Sequence, residues 1–98
     1  MNKETFVEKL KAKLDEWNAE VDRLESKTEM IDAQSRARYR AAMQEIKGKI
    51  QQIEKKLTVL KNSSTDAYQD LKAGAEDAWR EFEDGLKQAK DRFTSNGR

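Results

Sequence analysis

Apolar side chains recur along this chain in steps of three and four. Val7, Leu10, Leu14, Trp17, Val21, Leu24, Thr28 and Ile31 make a first run, with one threonine filling an apolar place. Ser35, Tyr39, Met43, Ile46, Ile50, Ile53, Leu57 and Leu60 continue it. Such spacing marks one face of an α-helix. At 100° per residue, the positions from 10 to 60 fall within about ±60° of the direction of Leu10. Thr5 reads as the cap that opens the helix, with Glu8 three residues on to complete a capping box. Asn62-Ser63-Ser64-Thr65-Asp66 is a run of turn and capping residues that ends the pattern. Asp66 then reads as a second cap, with Gln69 three residues on. The helix after it carries the stripe Tyr68, Leu71, Ala75, Ala78, Trp79, Phe82, Leu86, Ala89 and Phe93.

The unbroken phase favours one helix over about 4–61, roughly 85 Å long at 1.5 Å per residue. Residues 26–41 contain no Gly, Pro or Asn to punctuate it. The weak place is 28–38, where Thr28 and Ser35 replace aliphatic residues on the stripe and the spacing runs 4-4-4. A second helix over about 66–93, joined by a short loop, must lie antiparallel to the first. It covers the 34–61 half and leaves the stripe from Val7 to Leu24 bare, which water does not tolerate. Two arrangements solve this. In the favoured one, two long hairpins associate as an antiparallel dimer. In the other, a turn near 28–38 closes a monomeric three-helix bundle that uses the same contacts.

Composition and charge sharpen this picture. The 98 residues hold 20 basic and 19 acidic side chains and are 36% hydrophobic, a balance that fits either coiled coil or disorder; the stripe decides for helix. The net charge of +1 hides an uneven order. Residues 1–33 carry six basic and nine acidic groups, residues 34–61 eight and two, and residues 62–98 six and eight. The net charges are −3, +6 and −2, an order that invites the middle to pair with both flanks. No apolar run spans a membrane and no secretory signal is visible, so a cytoplasmic location is expected.

The chemistry-bearing residues are few. Without Cys or His there is no thiolate nucleophile, no zinc-thiolate site and no imidazole proton shuttle. The acid pairs Asp15-Glu16, Glu76-Asp77 and Glu83-Asp84 are neighbours on a helix and point about 100° apart, so they do not converge on one ion. Ser63 and Ser64 read as capping residues. Gly48, Gly74, Gly85 and Gly97 are isolated and form no phosphate loop. No catalytic, cofactor or metal residue is assigned. The basic stretch Arg36, Arg38, Arg40, Lys47, Lys49, Lys55 and Lys56 is the place a nucleic acid would bind, although a pI near 7.9 and acidic flanks argue against it. The helix over 66–93 has an aromatic apolar side, Lys72 and Lys90 at its border, and Asp70, Asp77, Asp84 and Asp91 opposite. That layout suits a helix lying on a membrane surface, and equally a helix in a protein core.

Two resemblances add to this reading. The stretch Lys9-Leu10-Lys11-Ala12-Lys13-Leu14-Asp15-Glu16-Trp17-Asn18-Ala19-Glu20-Val21 and the stretch from Asp66 to Trp79, with its Asp70-Leu71-Lys72-Ala73-Gly74 segment, resemble short bacterial coiled-coil domain-containing proteins. That family has no assigned activity, so the resemblance transfers no catalytic residue. Residues 66–93 are also similar in composition to the amphipathic helices of exchangeable apolipoproteins, without their proline punctuation, which implies a lipid-binding alternative.

The sequence therefore predicts a single all-α domain over 1–94 with a frayed polar tail at 95–98. The expected role is non-enzymatic: self-association, or binding to a helical protein partner. Val7, Leu10, Leu14, Trp17, Val21, Leu24 and Ile31 are the expected association stripe. Tyr68, Leu71, Trp79, Phe82, Leu86 and Phe93 are the expected packing, partner or lipid face.

Overall fold

The structure, a computed structural model, describes residues 2–96, and their side chains as far as Arg92. It is all-α: α1 (Lys3–Thr28), α2 (Ala33–Lys61) and α3 (Thr65–Asn96) form an up-down-up bundle. The long helix expected over 4–61 is not formed. The chain turns at residues 29–32, inside the 28–38 window, and closes the three-helix bundle. The molecule measures 51 × 18 × 17 Å, well short of the length a single 4–61 helix would need.

The reason for the break is a cap that periodicity passes over. The carboxylate Oδ1 of Asp32 accepts a hydrogen bond from the Ser35 backbone N–H at 2.8 Å, so a new helix begins while the stripe keeps its phase. Upstream, Thr28 is buried and its hydroxyl donates to the Leu24 carbonyl at 2.9 Å. Folding back lets α2 and α3 of the same chain cover the α1 stripe, so the bare half that argued for a second copy does not arise.

The other two starts also lie upstream of the expected ones. Asn2, not Thr5, caps α1: its Oδ1 accepts from the Thr5 N–H at 2.8 Å. Phe6, which the stripe read from spacing does not include, is part of the core, where it is 3% exposed. Ser64, not Asp66, caps α3, its hydroxyl accepting from the Ala67 N–H at 3.2 Å. Asn62–Ser64 form the loop, and Ser63 holds it to both neighbours. Its hydroxyl donates to the Leu60 carbonyl at 2.7 Å, and its carbonyl accepts from Lys3 Nζ at 2.6 Å. α3 passes the expected end at 93; the Phe93 side chain, and residues 97–98 of the expected tail, lie outside the described residues.

One core runs the length of the bundle. Leu10, Leu14, Trp17, Val21 and Leu24 are buried, with Val7 and Ile31 packed at its edge. α2 contributes Tyr39, Met43, Ile46, Ile50, Ile53, Leu57 and Leu60. No described helix is long and apolar enough to cross a membrane.

Two outcomes follow. Leu10 is fully buried, so Leu10→Ala should cost about 2–5 kcal/mol, measured by urea denaturation, while Leu71→Ala, at a side chain 38% exposed, should cost distinctly less. The cap hydrogen bonds hold the Asp32 carboxyl below its usual 3.8, the Ser35 backbone N–H first among them. A lowered folded value means stabilisation that is complete above pH 3.8 and fades as pH falls through the folded value. Asn caps as well but does not titrate. Asp32→Asn should therefore flatten the acid limb of Tm against pH between about 5 and 2 relative to the parent protein.

Candidate functional site

Of the three helix pairs, α1 and α3 approach each other least closely. Long aromatic side chains span the gap. Trp17 meets Phe82 with ring centroids 4.4 Å apart and meets Trp79 edge-on at 6.1 Å. Phe6 meets Trp79 at 6.1 Å and Tyr68 at 6.3 Å, and Lys72 Nζ lies 5.7 Å from the Phe6 ring centroid. Pairs of this kind contribute about 0.5–1.5 kcal/mol beyond their burial. The expected association stripe and the expected packing face thus meet each other, within one chain.

Because rings rather than backbones bridge α1 and α3, the outer side of their junction stays open. A groove of about 610 Å³ runs there, and Phe6, Ala12 and Trp79 are the apolar residues that line it. Lys9, Lys13, Lys72 and Arg80 and the acids Glu16, Glu76 and Glu83 form its rim. It continues toward the far end as a second depression of about 460 Å³ between Trp17, Glu20, Leu86 and Lys90. Trp79 is half-buried, and its indole N–H donates to the Glu83 carboxylate at the solvent edge. Rim charges pair along their own helices: Lys13 with Glu16 at 3.4 Å, Lys72 with Glu76 at 3.8 Å, Arg80 with Asp77 at 2.6 Å. Lys90 of α3 reaches Glu20 of α1 at 3.4 Å and crosses the groove beyond Trp17.

The remaining expected residues are distributed differently. Tyr68, Phe82 and Leu86 are core, so the aromatic side of α3 faces inward and a lipid surface would meet it only after the bundle opened. Leu71 sits at the edge, about 60° from the mean direction of Tyr68, Ala75 and Trp79 at 100° per residue. The basic stretch does not form one patch. By the same rotation, Arg36, Arg40 and Lys47 lie on the flank of α2 toward α1, and Arg38, Lys49 and Lys56 on the other flank. Lys47 pairs with Glu25 of α1, Lys49 with Glu45 of its own helix, and Arg36 Nη2 donates to the Ile31 carbonyl at 3.0 Å. Lys55 is exposed. A phosphate backbone would find no continuous basic track along this helix. The acidic–basic–acidic order of the sequence is likewise met mainly by pairs within helices.

Among the described residues no group of three or more acidic, His or Cys side chains is placed to hold a metal ion. A Cβ built on Gly48, Gly74 or Gly85 meets nothing within 4 Å, so no neighbour in the bundle requires these glycines for close approach. The groove itself could not be read from the sequence, because it depends on the distance between helices rather than on which residues face inward. No family model, curated protein or solved structure matches the chain.

The two tryptophans should separate core from groove. Trp17→Ala, at a side chain 3% exposed, should cost about 3–5 kcal/mol in chemical denaturation. Trp79→Ala should cost less and leave the far-ultraviolet circular dichroism unchanged.

Proposed function

We propose that the protein is a non-enzymatic interaction module that works by helix association, and that the α1–α3 groove receives an amphipathic helix of a partner protein. The observation that carries this reading is Trp79. It is a large aromatic side chain left half-buried in the lining of an open groove, where α1 and α3 do not close. A helix laid along the groove would complete a fourth side of the bundle. Its apolar face would cover Phe6, Ala12 and Trp79, and its flanks would meet a rim that offers both charge signs. Aromatic anchors surrounded by polar rims are where binding energy concentrates at interfaces. The absence of Cys and His from the chain points the same way, toward association rather than catalysis.

The test places a photoreactive residue at Ala12 in the groove and, separately, at Lys55 on exposed α2, in full-length protein expressed in its source cell. Ala12 should capture a defined protein, the linked segment should be an amphipathic helix, and Trp79→Ala should reduce capture several-fold. Equal capture from both positions, or none from Ala12, refutes the groove as the binding face.

A further inference from the structure

The turn between α1 and α2 is made of residues that do not require a turn. Glu29 follows α1 with φ −70° and ψ −16°, right-handed helical values. Asp32 precedes α2 with φ −64° and ψ 159°, so it leaves the helical region through ψ alone. Helices often end on a left-handed residue, usually glycine; here no described residue has a positive φ.

Met30 at the apex of the turn is 88% exposed, while Ile31 beside it packs at the edge of the core. Two tightened backbone bonds close the end of α1: Met30 N–H to the Lys27 carbonyl at 3.0 Å, and Ile31 N–H to the Thr28 carbonyl at 3.4 Å. The Asp32 cap and the Arg36–Ile31 bond complete it, and they leave Arg36 Nε buried without a hydrogen-bond partner. A straight helix through 29–32 would replace these contacts with the ordinary i to i−4 ladder.

Opening the turn uncovers the α1 stripe on one side and the faces of α2 and α3 that cover it on the other. The two surfaces are each other's complement, and the stripe keeps one phase across the turn. We propose that Glu29–Asp32 is a hinge through which two copies of this chain exchange α1, giving a two-fold dimer in which α1 and α2 are continuous. The occupant is a second copy because the surface exposed is the one the bundle already uses. The cross-helix pairs Lys47–Glu25 and Lys90–Glu20 re-form between copies, as does each groove, so the exchange does not depend on the reading of the groove.

The test turns on two substitutions. Ala33 is the first residue of α2 and follows an extended Asp32. Proline is well accepted at that helical position, and its predecessor is already extended as proline demands. In a continuous helix the same proline sits mid-helix, where it is excluded. Ala33→Pro should therefore keep the bundle and abolish exchange, whereas Asp32→Ala removes the cap and should raise the dimer fraction several-fold. Sedimentation equilibrium from micromolar to millimolar concentration should show the parent protein moving from 11.4 kDa toward twice that mass. Heavy- and light-isotope chains, refolded together and cross-linked by carbodiimide, should yield Lys47–Glu25 links between heavy and light chains. The hinge is overturned if the parent protein and Asp32→Ala stay at 11.4 kDa throughout with full helicity. It is equally overturned if Ala33→Pro dimerises as readily as the parent, or if every Lys47–Glu25 link lies within one chain. Should Asp32→Ala fail to fold, the comparison of parent with Ala33→Pro decides.

Discussion

The bundle rests on one requirement: the stripe from Phe6 to Leu24 on α1 must be kept from water. Six large apolar side chains there are buried, and none can be left bare on a small protein. Two kinds of cover meet the need. α2 packs directly, with aliphatic residues such as Ile50, Ile53 and Leu60. α3 stands further off and covers with rings, Tyr68, Trp79 and Phe82 reaching Phe6 and Trp17. The groove is a consequence of the second kind of cover. Rings long enough to close the core across a wider gap leave the outer edge of that gap open, and Trp79, which serves both sides, is only half-buried.

Charge has a smaller part than its order in the sequence suggests. The −3, +6, −2 blocks read as a folding instruction, yet pairs such as Lys13–Glu16, Lys49–Glu45 and Lys72–Glu76 join residues of the same helix. Exposed pairs of this kind contribute about 0–1 kcal/mol. Apolar phase and capping, rather than charge blocks, determine where the chain bends.

This explains which parts of the fold were legible. The α2–α3 loop was plain because Asn62 to Asp66 is all turn and cap chemistry, and the inward faces of α2 and α3 followed from spacing, with Leu71 the misplaced member. The α1–α2 turn was bounded but not favoured, because its signal is a single residue: Asp32, three before the Ser35 whose N–H it accepts. The starts of α1 and α3 were misread in the same way: Asn2 and Ser64, upstream of Thr5 and Asp66, supply the caps. At the groove, Trp17 and Trp79 were both picked from the stripe, but as members of separate faces. Their meeting within one chain depends on α1 folding back beside α3, which the two-helix reading placed only between two copies.

The feature that hid the turn from periodicity also gives the turn its chemistry. A break enforced by proline would have been visible in the sequence and hard to reverse, since a missing N–H and a ring that clashes with the preceding turn do not rejoin a helix easily. A break made by an aspartate cap leaves the stripe in one phase on both sides, and Glu29 and Asp32 at the two ends of the turn already have helical φ. The continuous helix and the closed bundle then share nearly every apolar contact. The balance between them is set at four residues rather than throughout the core, because the core is the same in both.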